Sequence, residues 1–219
     1  MPDPTPTTLA PIYVECTSAA AVADLVAFHP AGQVSVLAAA LPVGVDAPRI
    51  WWPLLDQCTD RRIADHVADK LTRDLPPSLV HLTPEAATLL SGALHASSFV
   101  GWPTVTLTHI LESGAVATIV ELLTGQADEL ALDVAAAAGP SNPDHARVIT
   151  AAAIGAQQLH HSDGLITGPT RAGMAVGPML AGTSAPVIAV HDDGSTVVDL
   201  ILSRLRFLGA TVLEGWAAA

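Results

Sequence analysis

LTPEAATLLSGALHAS (82–97) and NPDHARVITAAAIGAQQLHH (142–161) carry the same pattern. Each has proline and an acidic residue at a helix start, a helix rich in small residues, and then a β-branched residue followed by threonine. The threonine is Thr106 in the first copy and Thr167 in the second. Proline suits the first helical turn, and an acid there lies at the positive end of the helix dipole. The repetition predicts two tandem helical repeats in the middle of the chain.

The two ends of the chain share a different plan, in which strand-like runs flank a helix pattern. The N-terminal runs are PIYVEC (11–16) and QVSVLAAAL (33–41), and the C-terminal runs are GLITGP (164–169), PVIAV (186–190) and ATVLE (210–214). Strand–helix–strand units build parallel sheets, so strands from both ends can share one sheet. The predicted fold class is α-rich mixed α/β, with helical repeats in the middle and βαβ-like segments at both ends.

These elements divide the chain into four predicted segments. Residues 1–10 are predicted to be a disordered lead, because they lack the basic start and apolar core of a signal peptide. Residues 11–78 form a βαβ-like unit plus an amphipathic helix over 56–75. Residues 79–140 form helical repeat 1, and residues 141–219 form helical repeat 2 running into an α/β segment.

The charge balance excludes some classes of partner. The net charge is −12, with nine lysine and arginine residues among 219. Nucleic acids and anionic membranes need clustered cations, so neither is an expected partner. No apolar run suits a membrane span. The two cysteines form no CxxC pair, which favours a reducing cytoplasm. The many alanines also suit a subunit of an assembly, including a homo-oligomer.

The sequence contains no constellation that favours catalysis. GPTRAGMA (168–175) has the glycine spacing of a phosphate-binding loop, but Met174 and Ala175 replace its lysine and hydroxyl. Anion binding by the backbone and a plain glycine-rich turn both stay open. The histidines have no zinc-site spacing, and no GxSxG elbow is present. No catalytic residue, metal site or cofactor is therefore predicted.

An alternative hypothesis is an α/β enzyme or small-ligand binder of nucleotide or flavin type, with residues 50–160 as a helical insertion. Ligand sites of such folds lie at the carboxyl ends of the strands. The residues expected there are Thr17, Ser18, Thr170, Arg171 and Asp192. Arginine suits a phosphate or carboxylate. The acids Asp192 and Asp193 also fit a solvated loop that caps a helix at Ser195.

The central repeats resemble the N-terminal repeat of Clp-type AAA+ chaperones, a substrate- and adaptor-binding module. The resemblance is carried by LTPEA (82–86), VTLTHIL (105–111), AVATIVELL (115–123), GQADELALDV (125–134), ARVITAAAIGAQQLHH (146–161) and LIT (165–167). The family's acid after the turn threonine, which helps to bind phosphorylated arginine, falls on Leu107 and Gly168 here. The resemblance therefore implies no such activity.

What the resemblance implies is a non-catalytic adaptor, decoy or regulator that lacks the ATPase motor. Its partners would be Clp ATPase or protease components, or their substrates. The partner surface would include Thr106, His109 and Thr167.

Overall fold

One parallel sheet takes its strands from both ends of the chain. The computed structural model describes residues 12–30, 32–166 and 187–216. The strands among these residues are β1 (Ile12–Cys16), β2 (Val34–Leu37), β3 (Arg49–Ile50), β4 (Val187–His191) and β5 (Thr211–Trp216), in the order β3-β2-β4-β1-β5. The predicted α-rich mixed α/β fold, with strands from both ends, is confirmed.

The N-terminal strand β1 lies between two C-terminal strands. It pairs with β4 from Ile12 opposite Val187 to Cys16 opposite His191, and it pairs on its other side with β5. Strands β1, β2 and β4 read as nearly continuous apolar runs. Strands of a parallel sheet that is covered on both faces need this composition.

Helices cover the two faces of the sheet. Helix α1 (Ala19–Phe28) packs its Leu25 into a buried cluster with Val14 and Ala189. Helix α10 (Thr196–Phe207) lies on the other face, because its Arg206 guanidinium donates to the Glu15 carboxylate at 3.3 Å. Glu15 follows Val14 in β1, and successive side chains of a strand point to opposite faces.

The chain divides into two compact units. Unit 1 comprises Met1–Pro53 and Gly164–Ala219, and unit 2 comprises Leu54–Asp163. This division differs from the sequential segments expected from the sequence, because the sheet joins both chain ends into one unit. Its boundaries fall at 53/54 and 163/164, whereas the expected boundaries were at 78/79 and 140/141.

Unit 2 is helical throughout its regular structure in the described residues. Its elements are α2 (Leu54–Gln57), α3 (Arg61–Leu71), a 3₁₀ turn (Val80–Leu82), α4 (Thr83–Val100), α5 (Thr104–Glu112), α6 (Val116–Leu123), α7 (Asp128–Ala138) and α8 (His145–His161). Helix α4 is the centre of this unit, since it packs against α3, α6, α7 and α8. None of the helices in the described part of the chain is long and apolar enough to cross a membrane.

Two predictions of helix boundaries were wrong. The single helix expected over 56–75 is split into α2 and α3, because the Asp60 side chain caps α3 by accepting the Arg62 N–H at 3.0 Å. The sequence also predicts that Thr106 or Thr108 caps a helix that continues through Leu123, but both threonines lie within α5. The helix ends before Gly114, whose positive φ of 70° turns the backbone and separates α5 from α6.

The strand expected at 164–169 was also wrong in its described part. Residues Asp163–Ile166 form a short helix, α9, and 167–169 lie outside the described residues. Short apolar runs do not distinguish strand from helix. The carbonyl oxygen of Leu165 in α9 accepts the backbone N–H of Trp52 at 2.8 Å.

Small residues allow the helices of unit 2 to approach closely. A Cβ added at Gly92 in α4 would overlap Cγ2 of Val134 in α7, and one at Gly155 in α8 would lie 2.8 Å from Cδ2 of Leu90. Interiors packed to this density leave no room for an extra methyl group without rearrangement.

We expect the substitution Gly92→Ala to destabilise the protein by about 1–3 kcal/mol, the usual cost of overpacking a core. Without the overlap, it would stabilise α4 by up to about 1 kcal/mol through helix propensity. Urea unfolding measures the sign directly. In a Val134→Ala background the same substitution should cost less, because the overlapping methyl is gone. An equal cost in both backgrounds would contradict the contact.

Candidate functional site

The loops that follow β1 and β4 begin side by side. β1 ends at Cys16 and leads into Thr17 and Ser18, whereas β4 ends at His191 and leads into Asp192. The backbone N–H of Asp192 donates to the Cys16 carbonyl oxygen at 2.9 Å, which joins the two loops at their origin.

The connections from these neighbouring strands leave in opposite directions. β1 leads through α1 to β2 on one side of the sheet, and β4 leads through α10 to β5 on the other side. Helices α1 and α10 also cover opposite faces. Open α/β sheets bind ligands at the carboxyl edge where neighbouring connections diverge in this way, which makes the edge between these two loops the candidate site.

The first loop places exposed groups at the start of α1. Ser18 is the N-cap, and its hydroxyl oxygen accepts the Ala21 N–H at 3.1 Å. Thr17 and Ala19 are exposed beside it. The first N–H groups of a helix lack intrahelical partners and lie at the positive end of its dipole, so this end favours an anionic group.

The second loop is a turn stabilised by its own acids. The Oδ1 atom of Asp192 accepts the Gly194 backbone N–H, and the Oδ1 atom of Asp193 accepts the Ser195 backbone N–H, each at 2.9 Å. Ser195 caps α10 by accepting the Val198 N–H at 3.3 Å. The predicted capping turn is confirmed. Within the described ranges, no group of three histidine, cysteine or acidic side chains could hold a metal ion.

The structure brings part of the predicted ligand site together. Thr17, Ser18 and Asp192 lie at this one edge, as expected for the α/β hypothesis. The other two predicted ligand residues, Thr170 and Arg171, lie outside the described residues, as does the glycine-rich turn at 168–175.

The predicted partner surface lies partly on α5. His109 is exposed there, Thr106 is half-buried, and Leu107 is 1% exposed. Thr167 lies outside the described residues. On the accessible side of α5, the His109 imidazole is therefore exposed, whereas Thr106 is only partly accessible.

Two buried polar groups in unit 1 were not expected from the sequence. The Tyr13 hydroxyl and the Trp52 indole nitrogen belong to fully buried side chains, and neither has a hydrogen-bond partner. Burial raises the pKa of Tyr13 to about 12. Such groups are rare in folded proteins. Only their aromatic character is visible in the sequence, so no pattern identifies them.

Both cysteines are buried and unsuited to nucleophilic chemistry. Burial, with a smaller effect of Glu15, raises the pKa of the Cys16 thiol to about 11. Burial, with a smaller effect of Asp56, raises the pKa of the Cys58 thiol to about 12. Neutral thiols are weak nucleophiles and poor metal ligands.

Comparison with known proteins returned no match to a protein-family model, to a curated protein or to a solved structure. The resemblance of the central repeats to Clp N-terminal repeats stays a prediction.

The native thiols should not react with an aromatic disulfide reagent at pH 8, whereas both should react after unfolding. Their raised pKa values stabilise the fold fully below pH 9.0, the ordinary thiol pKa, and this contribution is lost as the pH rises through 11–12. The variants Cys16→Ala and Cys58→Ala assign each signal. Rapid labelling of either native thiol would contradict its burial.

Proposed function

We propose that unit 1 binds a small ligand of nucleotide or flavin type at the carboxyl edge of β1 and β4. The observation that supports this most is the opposite course of the connections from these two adjacent strands. Crevices at that position are the usual ligand sites of open α/β sheets. The strand order supports this position for the site, and the side chains around it suggest the chemistry of the ligand.

The two loops favour different parts of such a ligand. The N-terminus of α1, with the exposed Thr17 hydroxyl, favours a phosphate or carboxylate. Asp192 uses one oxygen for its turn, and its carboxylate can accept further hydrogen bonds from ribose or ribityl hydroxyls. A ligand with both an anionic group and hydroxyls is the class that suits both loops. The proposal is binding and includes no catalytic step.

Thermal unfolding in the presence of millimolar nucleotides and flavins tests this function. We expect at least one of them to raise the unfolding temperature, because a ligand at about 100 times its Kd adds about 2.7 kcal/mol of stability. Flat curves across the whole panel would overturn the proposal.

Asp192→Asn locates the effect. The amide oxygen can still accept the Gly194 N–H, so the turn is kept while the charge is lost. We expect this variant to weaken the ligand-induced shift. The matched control is Asp193→Asn, in which the neighbouring exposed acid is changed. Equal shifts in both variants would place the ligand elsewhere.

A second candidate function is protein binding by unit 2, as the Clp resemblance implies. It is favoured by exposed apolar side chains next to the predicted partner residues. Phe99, Val100 and Val105 are 41%, 45% and 55% exposed at the junction of α4 and α5. Exposed apolar patches often mark protein interfaces.

Purified Clp ATPase and protease components test the second candidate in a pull-down. We expect Val105→Ser to reduce recovery, and Leu132→Ser to leave it unchanged, because Leu132 is 71% exposed on a different helix, α7. Recovery at background for the unaltered chain would exclude these partners.

A further inference from the structure

Helices α6, α7 and α8 enclose an open groove on unit 2. Its volume is about 470 Å³. The side chains that form it are mainly aliphatic: Val116, Ala117, Val120, Ala135, Ala138 and Ile149. We call this the α6–α8 groove. The groove is open because the alanine side chains are too short to fill the gap between the helices. Val120 of α6 and Ile149 of α8 border this gap.

A second depression extends the groove along α8. Its volume is about 210 Å³, and it shares Ile149 with the first. At its far end the Gln157 amide donates to the Glu112 carboxylate at 2.9 Å. The two depressions together follow α8 from His145 to Gln157, a distance of about 18 Å at 1.5 Å per residue. That length matches about three turns of a second helix.

The segment that forms the groove carries more acids than bases. Residues 104–161 contain one arginine and six acids, namely Glu112, Glu121, Asp128, Glu129, Asp133 and Asp144. The formal charge of this range is therefore −5 with histidine neutral. A guanidinium nitrogen of Arg147 lies 2.9 Å from a carboxylate oxygen of Asp144, and one of Arg61 in α3 lies 3.2 Å from a carboxylate oxygen of Asp133. These two ion pairs offset part of the acidic charge. Glu112 lines the second depression, while Glu121 follows the groove residue Val120 and Asp144 precedes the groove residue His145.

We propose that the α6–α8 groove binds a basic amphipathic helix of a partner protein. A groove between helices offers apolar contact but no unpaired strand edge, so it suits the apolar face of a helix rather than an added strand. Lysine and arginine on the flanks of that helix would meet the acids of this segment, and Glu112 would meet a cation at the Gln157 end. Charge complementarity selects a basic helix over an acidic one.

The proposal is independent of the ligand site, which belongs to unit 1, and it defines its partner by chemistry, a basic amphipathic helix, and not by membership of the Clp system. A designed peptide therefore tests the groove, and the result depends neither on ligand binding by unit 1 nor on binding of Clp components. The probe is a fluorescent helix of about 14 residues, leucine on one face and lysine on the other, long enough to cover the groove. Binding to the full chain is followed by fluorescence anisotropy.

We expect saturable binding with one peptide per chain. Two control peptides separate the contributions. Replacing leucine by glutamine keeps the charge and should abolish binding, and replacing lysine by glutamate keeps the apolar face and should weaken it at least about tenfold. Equal binding of the glutamine peptide would mean attraction by charge alone and would overturn the proposal.

Two variants of α6 locate the peptide. Ala117 and Thr118 are adjacent and exposed, but only Ala117 lines the groove. Ala117→Arg should weaken binding at least about tenfold, whereas Thr118→Arg, with the same added charge, should change it less than about threefold. Unfolding temperatures close to that of the unaltered chain establish that both variants fold. Equal effects of the two substitutions, or no binding by the unaltered chain, would overturn the proposal.

Discussion

Strand β1 is the element on which unit 1 depends, because it is hydrogen-bonded on both sides by strands from the other end of the chain. Ile12 lies opposite Val187 in β4 and opposite Thr211 in β5. The sheet therefore cannot close until the chain has passed through unit 2 and returned. Bringing together residues this distant in sequence costs loop-closure entropy before the contacts form. This cost slows the folding of parallel sheets. The same pairing places the loops after Cys16 and His191 side by side. The proposed ligand site thus follows from the strand order.

Unit 2 obeys a different constraint, which is close packing through small side chains. Gly92 and Gly155 stand where neighbouring helices leave no room for a methyl group. The alanines that line the α6–α8 groove have the opposite effect at the surface, since their short side chains leave a gap that aliphatic neighbours border. One compositional feature, the abundance of small residues, therefore has two consequences. It permits dense contacts inside the unit and creates an apolar groove on its outside.

Much of the fold was predictable from the sequence. Apolar runs at 11–16, 186–190 and 210–214 predicted strands, and proline with an acid predicted the start of the long helices. The Gly114 break between α5 and α6, the Asp60 cap and the short helix α9 were missed, because short-range patterns do not fix where one helix ends and another begins. Thr17, Ser18 and Asp192 were predicted as one group. The contact that joins their loops, between Asp192 and Cys16, depends on long-range strand pairing that no local pattern encodes.

The central claim is that β1 pairs in parallel with β4, and nuclear Overhauser effects between these strands test it most directly. In an isotope-labelled sample of the full chain, we expect cross-strand contacts that advance in step from Tyr13 with Ile188 to Glu15 with Val190. Contacts from β1 to β5 should appear in the same spectrum, with Tyr13 opposite Val212. Absence of the β1–β4 contacts in folded protein, or contacts that advance in opposite directions along the two strands, would contradict the shared parallel sheet.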